Sequence, residues 1–235
     1  MFPTLNEILS FDQTHNIQDV IKNYDEASVH AMGCVARVGE WSSRNLRLSY
    51  SNGIFPWPHE GSEDLWFCPV LRGVIDFKSL HIPQRLLRQI KKTNYEVKFN
   101  HSFSEVIKHC QTQVRKNQTG SWIKEDLIQA YIDLHREGMC HSVEVWEEGE
   151  LISGLYGVGI AGYFSAESVF SKKSNYAKYA LLETIKTLQA QGLEWMDVQM
   201  LTNLSRNFGA YSISRSEFLR RVQESAWQPT SPLIV

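Results

Sequence analysis

Asp197-Val198-Gln199 sets a carboxylate and an amide two positions apart in a short apolar run, so on a regular strand both side chains share one face. Glutamine neither takes nor gives a proton near neutral pH, so such a pair orients or relays. Arg85, Arg88 and Lys92 recur at i, i+3 and i+7, with Lys91 at the edge, which makes one basic helix face suited to a short phosphate-backbone contact. Trp57, in a proline-rich loop, and Trp122 suit stacking on unpaired bases. By residue type alone each pattern also has an ordinary reading. A basic face is solvated surface, loop tryptophans are packing anchors, and Asp-x-Gln is a hydrogen-bonded structural pair. His135 and His141, six apart across a glycine, read as satisfied structural histidines rather than metal ligands.

The elements that must position these residues follow from periodicity. Ile17–Tyr24 and Arg44–Tyr50 read as short helices, followed by a turn-rich stretch from Ser51 to Pro69 carrying Phe55, Trp57, Trp66 and Phe67. A soft boundary near here divides the chain into a small N-terminal module, 1–70, and a larger domain, 71–235. Val74–Phe77 reads as a strand, Pro83–Lys92 as a helix opened by proline, and Tyr95–Phe99 as a half-buried strand. Ser102 and Glu105 have capping-box spacing before a helix to about Arg115. Leu127, Ala130, Tyr131 and Leu134 predict a helix from Glu125 that stops at Gly138. His141–Trp146 and Leu151–Ile160 flank a turn and predict a hairpin, extended by Tyr163–Phe170. Then come a helix over Asn175–Gln189, a strand over Trp195–Gln199, a last strand at Tyr211–Ile213, and a helix capped by Ser214 and Glu217. Hairpins followed by a helix and another strand predict an α+β fold with a mixed sheet.

Composition narrows the classes. The 235 residues are 43% hydrophobic and 21% charged, which is globular rather than disordered, and a formal net charge of −2 argues against a surface that coats nucleic acid throughout. Cys34, Cys68, Cys110 and Cys140 are far apart with no C-x-x-C pair, so no metal site is implied and reduced packing thiols of a cytoplasmic protein are expected. No stretch approaches the ~20 apolar residues of a membrane span. No G-x-S-x-G elbow, Walker loop or G-x-G-x-x-G fingerprint is present. A mixed sheet of this kind resembles the acetyltransferase-like fold, whose usual members hold coenzyme A on a glycine-rich loop. The corresponding stretch here, Ser171 to Lys178, has no glycine, so coenzyme A is not the expected donor and no cofactor is implied.

Gly53-Ile54-Phe55-Pro56-Trp57 resembles a signature of the leucyl/phenylalanyl-tRNA–protein transferase family, and so do Thr119–Ile123, Ala130-Tyr131 with Leu134-His135, and His141–Trp146. Gly154–Val158, Glu167–Ser171, Asp197–Gln199 and Phe208–Ala210 continue the match in order and at near-constant spacing. The resemblance implies an acetyltransferase-like fold that moves Leu, Phe or Met from aminoacyl-tRNA to proteins with an N-terminal Arg or Lys, feeding N-degron protein degradation. It implies that Trp57 and Trp122 stack on the tRNA 3′ end. Leu155, Phe164, Val169, Thr184 and Met196 would form the aminoacyl pocket, with Glu167 beside it. Asp197, Gln199 and Glu167 would be the catalytic residues, with Asp197 and Gln199 orienting and deprotonating the attacking amine. Arg85, Arg88, Lys91 and Lys92 would meet the acceptor stem.

The chain departs from the family pattern in places. Ala31–Ala36 replaces a G-G-D-L segment, Leu204 stands where the family has histidine, and Asn207 where it has serine. Three readings fit, in this order: transfer to protein N-termini, transfer to another amine such as a small molecule, and a catalytically silent tRNA-binding protein.

Overall fold

Odd–even alternation sorts the strand residues between two cores. Val74 and Trp195 enter one, Ile75 and Met196 the other, as a sheet covered on both faces requires. The computed structural model describes residues 33–57, 64–113, 123–160 and 162–225. The helix expected over Ile17–Tyr24 lies outside them, and so does Trp122. Strands β1 (Cys34–Arg37), β2 (Phe55–Pro56) and β3 (Leu65–Phe67) form a small sheet in the order β1-β3-β2. The large sheet uses β4 (Leu71–Asp76), β5 (Glu96–Phe99), β6 (Cys140–Glu147), β7 (Glu150–Ile160), β8 (Tyr163–Ser171), β9 (Trp195–Gln199) and β10 (Tyr211–Ser214). Its order is β10-β4-β9-β8-β7-β6-β5. Every neighbouring pair is antiparallel except β8 and β9, so the sheet is mixed and the chain α+β, as expected.

Seven helices accompany the sheets among the described residues: α1 (Ser43–Ser51), α2 (Gln84–Ile90), α3 (Phe103–Thr112), α4 (Glu125–Arg136), α5 (Tyr176–Ala190), α6 (Asn203–Arg206) and α7 (Arg215–Ser225). The small sheet and buried residues of α1, α3, α4 and α7 share the first core. Residues of α2 and α5, with Phe208, make the second. None of the described helices is long and apolar enough to cross a membrane.

Local chemistry explains most boundaries. The β6–β7 hairpin turns on Glu148 and Gly149, both at positive φ (51° and 80°), the conformation that matches strand twist in two-residue turns. Gly138, at φ 77°, follows α4 where its stop was expected. Ser214 Oγ accepts the Glu217 N–H at 3.2 Å at the start of α7. Other expectations are corrected. Pro83 is the N-cap of α2 rather than its first helical residue, and α2 ends at Ile90, so only Arg85 and Arg88 of the basic face are helical. Lys91 is its C-cap, and Lys92 lies beyond in a tight turn closed by its N–H to the Gln89 carbonyl at 2.9 Å. The Ser102–Glu105 capping box does not form, because the Ser102 N–H donates to Glu144 Oε1 at 2.7 Å. Helix α3 ends at Thr112, short of Arg115, where Gln113 turns extended and its Oε1 accepts the Ser171 N–H.

Glu144 itself is wholly buried in β6. It accepts from Ser102 N–H, Ser142 Oγ (2.9 Å) and Trp146 Nε1 (3.0 Å), so local donors replace the water a buried carboxylate loses.

Candidate active site

Strands β8 and β9 share a single parallel register pair, Ser165 with Asp197, and both are irregular just beyond it. On β8, Tyr156 pairs with Ser168 and Gly157 with Ala166, which leaves Glu167 as an extra residue. On β9, Val74 pairs with Asp197 and Gly73 with Gln199, which leaves Val198 extra. Bulges of this kind bend a strand and re-aim its side chains. Here two of them occur where the sheet comes apart, and they turn Glu167 and Gln199 toward each other.

Gln199 Nε2 donates to Glu167 Oε1 at 2.6 Å, bridging strands that no longer pair. With the amide nitrogen engaged by a carboxylate, the Gln199 oxygen is the acceptor left over. Glu167 also accepts from Tyr131 Oη at 3.1 Å, and Tyr131 Oη lies 2.7 Å from Tyr50 Oη. Burial, opposed by hydrogen bonds from Tyr50 and Gln199 and reinforced by the neighbouring Asp197 charge, pushes the Glu167 carboxyl up to about 7. The proton on Glu167 therefore exchanges near neutral pH, the range a proton carrier needs.

Asp197 differs from the regular-strand expectation. Its carboxylate does not reach the Gln199 side chain; Oδ1 accepts the Gln199 backbone N–H at 2.7 Å. Gln199 sits at φ 57°, a left-handed backbone that few non-glycine residues adopt, and Val198 is the bulge between the two. Asp197 is fully buried and paired with Arg72, with Nε to Oδ1 at 2.8 Å and Nη2 to Oδ2 at 2.6 Å. Ser165 Oγ donates to Oδ2 at 2.9 Å. The sequence reading missed Arg72, Ser165, Tyr50 and the part Tyr131 plays. Arg72 left a signal, as a lone charge inside the strand Leu71-Arg72-Gly73-Val74-Ile75; the others left none.

The bulge at Glu167 also brings the expected pocket residues together. Phe164 and Val169 are five apart, so on a regular strand they would face opposite ways. The extra residue reverses the alternation: Phe164 and Ala166 before it, and Val169 after it, belong to one core, while Tyr163 and Phe170 belong to the other. Leu155 pairs directly with Val169, and Met196 joins the same core from β9. Thr184 is buried on α5 with its hydroxyl turned back onto the Ala180 carbonyl at 2.8 Å, which shows less polarity than its type suggests. Gly157 makes room for Phe164, since a Cβ there would lie 2.5 Å from the ring.

Trp57 follows β2, half-buried, with its ring edge-on to Phe67 at 5.6 Å. Arg85, Arg88, Lys91 and Lys92 are exposed, and none forms an ion pair with a described residue. Arg85 lines a cavity of about 390 Å³ together with Gln89, Lys178 and Asn207. Leu204 packs partly buried on the second core.

Comparison with known proteins identifies the family. The profile of the leucyl/phenylalanyl-tRNA protein transferase family matches residues 74–223. A leucyl/phenylalanyl-tRNA–protein transferase of Chromobacterium violaceum is 37% identical over 212 residues, 90% of this chain and 91% of the relative. One of Nitrosospira multiformis is 38% identical over 198 residues, covering 84% and 85%. One of Flavobacterium johnsoniae is 36% identical over 199 residues, covering 85% and 92%. Among solved structures the chain is loosely similar to L-PGS from Bacillus licheniformis, with 15% identity, 68% of this chain and 51% of that one covered, and a TM-score of 0.40. On the matched span and the identities over most of its length, this chain belongs to the leucyl/phenylalanyl-tRNA–protein transferase family of aminoacyltransferases.

Proposed function

We propose that this chain transfers leucine, phenylalanine or methionine from charged tRNA to the N-terminal amine of proteins that begin with Arg or Lys. The observation that carries this reading is the Gln199–Glu167 bridge across the split between β8 and β9. The acceptor's neutral amine attacks the ester carbonyl carbon, the bond from that carbon to the ribose oxygen breaks, and the nitrogen loses one proton. The Gln199 amide oxygen accepts a hydrogen bond from the incoming amine, which fixes its approach and disperses the positive charge developing on nitrogen. Glu167, already bonded to Gln199, is the group with the protonation range to take that proton, and the leaving ribose oxygen gains one. Asp197 orients Gln199 through the backbone N–H.

The rest of the donor meets the surfaces around the split. Leu155, Phe164, Val169 and Met196, with Thr184 behind them, offer apolar contacts to the aminoacyl side chain and no partner for a charge. Neighbouring apolar amino acids are then separated only weakly, by about 1–3 kcal/mol per methylene. In the 1–70 module Trp57 stacks on the terminal base, with Trp122 as a second platform, while Arg85, Arg88, Lys91 and Lys92 meet acceptor-stem phosphates. Transfer from leucyl-, phenylalanyl-, methionyl-, aspartyl- and lysyl-tRNA to an Arg-starting peptide tests the reading. Label should pass from the first three only. Equal transfer of Asp or Lys refutes the pocket, and no transfer to any Arg- or Lys-starting peptide refutes the acceptor.

A further inference from the structure

The amide side chain of Gln199 is aimed by a backbone that must stay left-handed, and such a conformation persists only where its surroundings hold it, at a cost of roughly 1–3 kcal/mol. Two contacts hold it: the Met200 N–H closes onto the Val198 carbonyl at 2.6 Å across the turn, and the Gln199 N–H itself donates to Asp197 Oδ1. Asp197 accepts four donors in all. Oδ1 takes Arg72 Nε and the Gln199 N–H, and Oδ2 takes Arg72 Nη2 and Ser165 Oγ. A carboxylate has about four lone-pair sites, so four donors leave the Asp197 oxygens fully engaged in holding the site. Half of that set comes from one residue.

Arg72 is buried, and its guanidinium lies between two aromatic faces, 4.3 Å from the Phe55 ring centre and 4.4 Å from that of Phe218. The stack fixes the plane of the fork and the fork fixes the plane of the carboxylate. Arg72 Nη1 is buried with no hydrogen-bond partner among the described residues. A buried ion pair contributes little net stability over apolar packing, and one with an unpaired donor contributes less. Its consequence lies in position. The three side chains around Arg72 come from β2, the strand that leads into Trp57, from β9, which carries Gln199, and from α7.

We propose that Arg72 is a positioning residue of the transfer reaction: clamped between Phe55 and Phe218, it locks the Asp197 carboxylate and, through the Gln199 N–H, the bulge that aims the Gln199 amide across the split. This rests on the reading of Gln199 as the group that meets the amine. Lysine cannot reproduce the planar fork or the double stack, so Arg72→Lys keeps the charge and removes the alignment.

Single-turnover transfer from saturating leucyl-tRNA to an Arg-starting peptide, with Gln199→Ala as reference, reads this out. Arg72→Lys should slow the chemical step ~10-fold or more while the Kd for leucyl-tRNA stays within about 2-fold, and the Gln199 backbone amide resonance should shift. In Arg72→Lys/Asp197→Asn the loss should not exceed that of the slower single variant, since both act on one contact. A merely structural Arg72 would change thermal stability and leave the rate of the folded fraction unaltered. If Arg72→Lys transfers at the unaltered rate while Gln199→Ala is slow, the positioning role is overturned and the site reading stands. If Gln199→Ala is not slow, the site reading fails and the positioning role with it. Should Arg72→Lys not fold, Phe55→Leu and Phe218→Leu loosen the stack and leave the ion pair. Each should slow the step several-fold with KM unchanged, and unaltered rates in both overturn the proposal.

Discussion

Glu144 and Glu167 are carboxylates on the same sheet, two strands apart, and they sit in opposite kinds of place. Glu144 is paired on both sides of β6, with Gly154 and with Lys98, wholly buried and met by three donors fixed in its neighbourhood. Glu167 is the extra residue of a bulge at the one point where the sheet divides. It is half-buried, and one of its donors is a side chain reaching from a strand it no longer pairs with. Pairing on both sides surrounds a carboxylate with partners and makes it a structural part. A split leaves one with a raised affinity for a proton and a way out to solvent, and that is where acid–base work becomes possible.

The largest effect should come from the split. Gln199→Ala should lower the single-turnover transfer rate ~10²-fold, about 2.7 kcal/mol of transition-state stabilisation, with tRNA affinity little changed. An unaltered rate would put the chemistry elsewhere and empty the contrast of functional meaning. The ladder carboxylate should behave the other way. Glu144→Ala leaves Ser102 N–H, Ser142 Oγ and Trp146 Nε1 without their acceptor and should cost about 2 kcal/mol of unfolding free energy in urea. The transfer rate of the folded fraction should not change; a slow chemical step in that variant would erase the distinction.

Protonation sharpens the comparison further. The Glu167 carboxyl titrates at about 7 when folded and at the usual carboxylate value when unfolded, so between about 4.5 and 7 the folded chain binds the extra proton and stability falls as pH rises. Above 7 the full penalty is present. Glu167→Gln, neutral throughout, should then be the more stable chain at pH 8, with the difference gone near pH 4, as paired denaturation curves would reveal. Its transfer rate should also lose the limb that rises through pH 7 in the unaltered enzyme, measured with an acceptor amine already neutral. A Gln variant that keeps that limb shows another group carrying the proton. The smallest effect lies outside both regions. Arg88→Ala should weaken leucyl-tRNA binding by about 1 kcal/mol and flatten its salt dependence, leaving single-turnover transfer at saturation unaltered.

Much of the frame was legible from residue order because its causes are local. The stripe Leu127, Ala130, Tyr131, Leu134 makes an amphipathic helix wherever it is packed, and Glu148-Gly149 between alternating strands makes a tight hairpin. The family was legible too, since its motifs recur here in order, and Asp197, Gln199, Glu167 and the apolar set around Leu155 were named from them. The failures were of a different kind. Ser102 and Glu105 have the spacing of a cap, but the Ser102 N–H is taken by Glu144, forty-two residues away. Asp197 and Gln199 have the spacing of a shared strand face, but the register across β4 inserts a bulge between them. A bulge depends on how two strands pair, and pairing is a contact between distant segments that neither segment encodes alone. The same holds for Arg72, whose acceptor lies 125 residues further along. Sequence alone settled which residues were available and which local elements they would form. Only the tertiary structure decided that Phe164 and Val169 face one core, that Asp197 is clamped, and that Gln199 meets Glu167, because each depends on where the sheet stops pairing.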